Sequence, residues 1–299
     1  MAKILITGSN GFVGQHLTKH LKKSESLTLV DCSEAQISDP SYRKIDLTSF
    51  EELSQLDETF DGIVHLAGIS RVKDGEDDPQ MCMKANLMST TNILELARRS
   101  ENPPWVVLAG TVEPPNNFYG LSKHLSEQIA DYYAAKCGLS IISLKFSNIY
   151  GSTEDNPSKL IPILINSALK NKPIRLRDPE DKINLMFIDD LVEGIRLATK
   201  YIATKSEGYY ESMDLCSAKS ISVGELTKMI ILISDSKSNV IHENNNDKQI
   251  DNASPIVPDP SRAIDLLGYN AAKDHKKQVI KTIRRYKNCL LYTSDAADE

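Results

Sequence analysis

Short apolar runs alternate with longer segments whose apolar residues recur every three or four positions. Lys3-Ile4-Leu5-Ile6 is an almost unbroken apolar run and predicts a buried strand over 3–7. The same pattern predicts helix 12–23, strand 27–31, helix near 49–56 and strand 61–66. Helix 79–99, strand 105–109, helix 118–137 and strand 140–146 follow. Strand and helix in strict alternation predict an α/β fold with a doubly wound parallel sheet. Residues 151–186, with Pro157, Pro162, Pro173 and Pro179, break the alternation, and sheet-like segments return near 184–198 and 210–216. Residues 234–256 are polar and carry almost no apolar periodicity, as expected of either a loop over a ligand or an idle insertion. No internal repeat is visible.

The first strand runs into Thr7-Gly8-Ser9-Asn10-Gly11-Phe12-Val13-Gly14, and a helix follows. Strand, glycine-rich turn and helix in that order make a dinucleotide site of the Rossmann kind. Gly8 permits the tight turn, Gly11 lets a pyrophosphate approach the backbone, and Gly14 lets helix pack on strand. The N–H groups at the helix start then face the phosphates. The second strand, Leu27-Thr28-Leu29-Val30-Asp31, ends in a carboxylate at about the ~20-residue spacing of an acid that binds ribose hydroxyls and repels a 2′-phosphate. Cys32-Ser33-Glu34 offers no Arg or Lys, so NAD is expected over NADP. A strand-end acid can also be merely solvated.

Tyr119-Gly120-Leu121-Ser122-Lys123 places a Tyr and a Lys on one helix face at i and i+4. Behind a dinucleotide fold, such a pair supplies a base whose proton affinity is lowered by a neighbouring ammonium. From residue 3 to about residue 288 the chain resembles the extended short-chain dehydrogenase/reductases, specifically the NAD-dependent epimerase/dehydratase family that acts on nucleotide sugars. Other segments match that family in order. Asp46-Leu47 matches the pair beside the adenine, and Leu66-Ala67-Gly68 the turn under the cofactor. Asn86 matches the Asn opening the next long helix; Phe146, Asn148 and Ile149 match the strand end that touches nicotinamide and sugar.

The resemblance implies a Rossmann domain over 1–150, with 184–198 and 210–217 added, and a smaller C-terminal substrate lobe from 151–183 and 218–288. It implies Thr111, Tyr119 and Lys123 as the catalytic residues. Tyr119, its pKa lowered by Lys123 and oxidised nicotinamide, would remove a sugar hydroxyl's proton, while Thr111 holds the oxygen. Lys123 would also contact ribose. Thr111 as a turn residue and Tyr119 as a packed aromatic are the structural alternatives. Only seven residues, Val112 to Phe118, separate Thr111 from Tyr119, where most relatives carry a longer insert over the sugar. The short loop is expected to leave the site more open, as in some family reductases. Glu113 keeps the Glu of the family dehydratases without the preceding Asp, and serves either as a base or points to solvent. For the diphosphate of the substrate, Arg175 and Arg262 are the candidates, with Arg177 and Lys182 nearby in sequence; Ile183 stands where many relatives have Arg. The leading expectation is a nucleotide-sugar epimerase working through a keto sugar. A keto-sugar reductase, a 4,6-dehydratase and a non-catalytic NAD-binding sensor are the alternatives.

Composition narrows the field. A net charge of −6 without a basic stripe argues against nucleic acid as a partner. No apolar run reaches ~18 residues, so no membrane span is expected. The first strand starts too early to leave room for a signal peptide. Cysteines at 32, 82, 137, 216 and 289 show no metal spacing and read as thiols of a reducing cytoplasm; no metal site is expected. By resemblance, a homodimer is expected through helices 79–99 and 118–137. Residues 289–299 read as the translation of a sequencing-library transposase adapter, so they are expected to be a non-native tail with few contacts and no regular packing.

Overall fold

The computed structural model describes residues 1–35, 39–243, 257–270 and 272–295. In chain order the elements begin β1 (Lys3–Thr7), α1 (Phe12–Leu21), β2 (Ser26–Asp31), β3 (Tyr42–Lys44), α2 (Phe50–Leu53) and β4 (Gly62–His65). Then come α3 (Val72–Asp77), α4 (Pro79–Met83), a π-helical turn (Lys84–Met88), α5 (Ser89–Arg99), β5 (Trp105–Thr111), α6 (Phe118–Cys137) and β6 (Ile141–Phe146). Next are β7 (Asn148–Tyr150), α7 (Leu160–Leu169), β8 (Ile174–Leu176), β9 (Lys182–Ile183), β10 (Leu185–Phe187) and α8 (Ile188–Ile202). The chain ends with β11 (Tyr210–Leu215), β12 (Ile221–Ser222), α9 (Val223–Ser234), β13 (Val240–His242), α10 (Ser261–Leu267) and α11 (Lys276–Asp295).

Two compact units divide the chain. The first comprises Met1–Ser147, Val192–Leu215 and the described part of Ala253–Asn270. Its seven-stranded sheet has the order β11-β6-β5-β4-β1-β2-β3, and every pair is parallel. The order reverses at β1, so the carboxyl ends of β1 and β4 flank the crevice where open α/β sheets take their ligands. Leu5, Ile63, Val106 and Ile141, one from each central strand, are fully buried in one apolar cluster with Ile93 and Leu94 of α5 and Ala130 and Ala134 of α6. Each of the Leu, Ile and Val side chains contributes roughly 1.5–3 kcal/mol on burial. The helices follow the apolar spacing: Gly14, Leu17 and Leu21 form the buried stripe of α1. Asn117 caps the start of α6, and Gly138, at φ 73°, ends it.

The second unit comprises Asn148–Leu191, the described parts of Cys216–Asn252, and those of Ala271–Glu299. Three two-stranded pairs, β7–β10, β9–β12 and β8–β13, accompany α7, α9 and α11, which pack on one another. Ser222 and Glu225 form a reciprocal capping box at the start of α9. In α11, Arg285 donates to the Gly151 carbonyl at 2.7 Å and to both carboxylate oxygens of Asp189 at 2.9 and 3.0 Å.

Several boundaries differ from the sequence expectation. Residues 184–191 belong to the second unit, and the described part of Ala253–Asn270 belongs to the first. The helix expected over 79–99 is interrupted by the π-helical turn. Strand β3 escaped the pattern because Tyr42-Arg43-Lys44 contains no aliphatic residue and lies on a polar sheet edge. Helix α11 runs to Asp295, so the backbone of 289–295 is helical within the tail for which no regular packing was expected. Within 234–256, β13 pairs with β8, and 244–256 lie outside the described residues.

Candidate active site

The glycine turn is built by contact. A Cβ on Gly8, which sits at φ +69°, would lie 2.7 Å from the Ala67 amide nitrogen. One on Gly14 would lie 2.1 Å from the Gly8 carbonyl oxygen. Neither position accepts a side chain without moving backbone. The Gly11 N–H closes the turn on the Gly8 carbonyl at 3.0 Å, and no side chain caps the start of α1. Beneath the turn, the Leu66 N–H donates to the Thr7 carbonyl at 3.2 Å and the Ala67 N–H to the Thr7 hydroxyl at 3.3 Å. Gly68 follows at φ +141°. A side-chain-free cradle ahead of an uncapped helix start fits a pyrophosphate, and therefore a dinucleotide. Phe12 stacks edge-on against His16 with ring centroids 5.4 Å apart, and Val13 is half-buried.

At the end of β2, Asp31 accepts from the Asn10 N–H at 3.0 Å, the Ser33 N–H at 3.1 Å and the Ser33 hydroxyl at 2.9 Å. The Asn10 amide holds the exit of the strand, donating to Ser33 Oγ at 2.8 Å, the Glu34 carbonyl at 2.9 Å and the Tyr42 hydroxyl at 3.1 Å. Asp46 turns inward on its own loop, accepting from the Thr48 N–H at 2.9 Å and hydroxyl at 2.8 Å. Leu47 is buried, its carbonyl bonded by Asn92 Nδ2 at 2.8 Å.

Thr111, Tyr119 and Lys123 come together at the carboxyl end of β5. Burial holds the Tyr119 phenol above its ordinary pKa, against a lowering influence of the adjacent Thr111 side chain; Glu113 and Cys82 add to the rise. The expectation of a phenol depressed by Lys123 is therefore not met by the protein's own groups. Lys123 donates instead to the Ala109 carbonyl at 3.0 Å, and burial pulls its pKa down to about 8. Asn86 sits in the π-helical turn, a distortion frequent at functional sites. Its Nδ2 donates to Ser122 Oγ at 2.8 Å and to the Ile69 carbonyl at 3.2 Å; Ser122 Oγ donates to the Tyr119 carbonyl at 2.7 Å. Asn86 Oδ1 is buried without a partner, beside Gly68, where a Cβ would lie 2.3 Å away. His65, beneath Thr7 at 2.7 Å, is held neutral: burial and the Lys123 charge take its pKa down to about 3.

The short loop is tied down. Glu113 donates its N–H to Thr111 Oγ1 at 3.1 Å and accepts from Asn117 Nδ2 at 3.2 Å. The Glu113 carboxylate is half-buried and engaged at the helix cap, so it does not point free into solvent. Asn117 Oδ1 accepts from the Gly120 N–H at 2.7 Å, and Glu76 of α3 accepts from the Phe118 N–H at 2.9 Å. The Asn117 cap was legible three residues ahead of Gly120; the Glu76 contact, 42 positions away, had no local signal.

Other expected residues are dispersed. Phe146 pairs in register with Thr111 and with Leu215. Asn148 and Ile149 lie in the second unit, where Asn148 Nδ2 donates to the Asn184 carbonyl at 3.2 Å and Ile149 pairs with Met186. Arg175, exposed, pairs with Glu243 at 3.5 Å. Arg262 donates through Nε to Glu211 at 3.0 Å. Glu211 is the second residue of β11, four before the carboxyl end at Leu215, or about 13 Å at ~3.3 Å per residue. The ion pair thus places the Arg262 guanidinium near the opposite end of β11 from the edge where Thr111 and Gly8 lie. Among the described residues no cluster of His, Cys, Asp and Glu could hold a metal, and no helix is long and apolar enough to cross a membrane.

A parallel sheet with a glycine cradle at its switch point and a Thr-Tyr-Lys set on the next crossover defines a dinucleotide-dependent short-chain oxidoreductase architecture. The sequence profile of the NAD dependent epimerase/dehydratase family matches residues 4–210, and the chain belongs to that family. It is 25% identical over 240 residues to a UDP-2-acetamido-2,6-beta-L-arabino-hexul-4-ose reductase of Pseudomonas aeruginosa, covering 80% of this chain and 59% of that protein. It is 24% identical over 229 residues to UDP-glucuronate 4-epimerase 1 of Arabidopsis thaliana, covering 64% of this chain and 53% of that protein. The chain thus spans between half and two thirds of the length of these two curated relatives. In fold it is similar to a Thermotoga maritima UDP-glucose 4-epimerase solved with UDP-glucose, at a TM-score of 0.84 and 18% identity over 96% of this chain and 99% of that one.

Proposed function

We propose that this protein is an NAD-dependent nucleotide-sugar epimerase acting through a keto-sugar intermediate. One observation carries the reading: the buried Tyr119 phenol beside Thr111, with a buried Lys123 one helical turn along, at the sheet edge that also holds the glycine cradle. A sensor has no need of such a base. NAD, when bound, supplies the hydride acceptor and a positive charge. Gly8, Gly11, Gly14 and the start of α1 would hold its pyrophosphate, and Asp31 its adenine ribose. Tyr119 takes the proton of the sugar hydroxyl. Thr111 donates to the same oxygen and fixes it at hydrogen-bond distance. Lys123 is tethered beneath the site by its bond to the Ala109 carbonyl. Burial takes the Lys123 pKa down to about 8, so a fraction of that amine is neutral near pH 8, and an ionised Tyr119 favours its charged form.

The second reading, a keto-sugar reductase, is favoured by the tied-down short loop and by the Pseudomonas aeruginosa relative. The same three residues then return a proton to the sugar oxygen. The protein is further proposed to work in the cytoplasm as a homodimer: Phe118 and Tyr132 of α6 and Met81 and Met88 stand 40%, 64%, 49% and 49% exposed. Incubation of the purified protein with a panel of UDP-, dTDP-, GDP- and CDP-sugars plus NAD, followed by NMR and mass spectrometry, tests the activity. An inverted sugar of unchanged mass supports epimerisation, and no change in any substrate or keto-sugar refutes both readings.

A further inference from the structure

We propose that Glu34 is a cofactor-selectivity residue, which holds the Lys44 ammonium in an ion pair and so keeps a 2′-phosphate from finding a cation at the ribose corner of the cradle. The inference rests on the NAD reading of the glycine turn. From the sequence around Asp31, no Arg or Lys was expected near that ribose. The tertiary structure brings one: in the β2–β3 ladder, Lys44 stands opposite Asp31, and adjacent strands lie only about 4.8 Å apart. Tyr42, two residues earlier and so on the same face, shares that corner. Its hydroxyl accepts from the Asn10 amide at 3.1 Å and donates to the Ser33 carbonyl at 2.5 Å. The Asn10 amide also grips the Glu34 carbonyl at 2.9 Å, and the Asn10 N–H binds Asp31 at 3.0 Å. Glycine turn, Asp31, Glu34 and β3 are therefore one hydrogen-bonded corner.

Within it the Lys44 ammonium is bonded to the Glu34 carboxylate. Arg43, the next cation, is directed elsewhere, donating to the Pro40 carbonyl at 2.6 Å and the Tyr42 carbonyl at 3.0 Å. A 2′-phosphate arriving at Asp31 meets two carboxylates and a lysine whose charge is already matched. Neutralising Glu34 removes one repulsive charge and releases Lys44, whose side chain is 54% exposed and free to reorient. Asp31 still disfavours the phosphate, so the wild-type preference narrows and does not invert.

The test is calorimetric binding of NAD, NADP and adenosine 2′,5′-bisphosphate to the full chain, to Glu34→Gln, and to Glu34→Gln combined with Lys44→Met. Glu34→Gln is expected to tighten NADP and the bisphosphate about fivefold, the size of one exposed charge pair, with NAD changed less than about twofold. Lys44→Met should cancel that gain. Between about 50 and 200 mM salt the gain should shrink as screening increases. A Glu34→Gln protein that tightens NADP no more than NAD, or a gain that survives loss of Lys44, overturns the proposal. If the wild-type chain binds neither dinucleotide, the cradle reading itself fails, which is a distinct result.

Discussion

Substituting Gly120 by Ala tests how the short loop places Tyr119. Gly120 has an ordinary backbone conformation, so the substitution acts through space alone. Its added Cβ would lie 2.1 Å from the Pro114 carbonyl oxygen and 3.0 Å from the Pro114 carbonyl carbon, while ordinary contact begins near 3.4 Å. Backbone on one side must move by about 1 Å. The loop cannot give freely, because Glu113 is tied to Thr111 and Asn117, and Asn117 caps Gly120 itself. Overpacking of this kind costs about 1–3 kcal/mol, and loss of the cap about 1 more. At roughly 2–4 °C per kcal/mol for a domain of this size, the melting temperature should fall by about 5 °C or more. Gly120 adjoins Tyr119, so the phenol shifts with the loop, and a misplacement of about 1 Å lowers turnover on the order of 100-fold. Gly138→Ala is the matched control. Its Cβ would meet nothing within 4 Å, but φ is +73°, so only about 1 kcal/mol of backbone strain is expected and turnover should hold. Scanning calorimetry and initial rates on the two variants decide the matter. If Gly120→Ala melts and turns over like wild type, the loop is not the rigid spacer described above.

Tyr119→Phe removes only the ionisable hydroxyl, so turnover should be lost while calorimetric NAD affinity stays within about twofold; retained turnover would exclude Tyr119 as the base. His65 has a folded pKa of about 3 against an ordinary 6.5, so below 6.5 the unfolded chain binds a proton that the folded one refuses. Stability is therefore full above that value and falls as pH drops towards 3, by about 2 kcal/mol at pH 5. Urea melts at pH 7 and pH 5 should show that loss in the wild type and a smaller one in His65→Gln. Light scattering at micromolar concentration should give the mass of a dimer; a monomeric mass would count against pairing through α5 and α6.

Short-range patterns in the chain account for the order of elements and the chemistry they carry. The apolar run into Gly8, the acid at Asp31 and the Tyr119–Lys123 pair are local patterns, because strand period, glycine spacing and helical i,i+4 geometry are properties of short segments. For the same reason Thr111 could be placed by counting along an apolar strand. The remaining features depend on distant segments meeting. The pKa direction of Tyr119 follows from burial, which no five-residue motif encodes. Glu76 reaches the head of α6 across 42 positions, and Arg262 is bound to Glu211 across 51. Lys44 arrives beside Asp31 on a three-residue polar edge strand with no hydrophobic signature. Charges are placed by pairing across the sheet, and pairing partners are chosen by the whole fold.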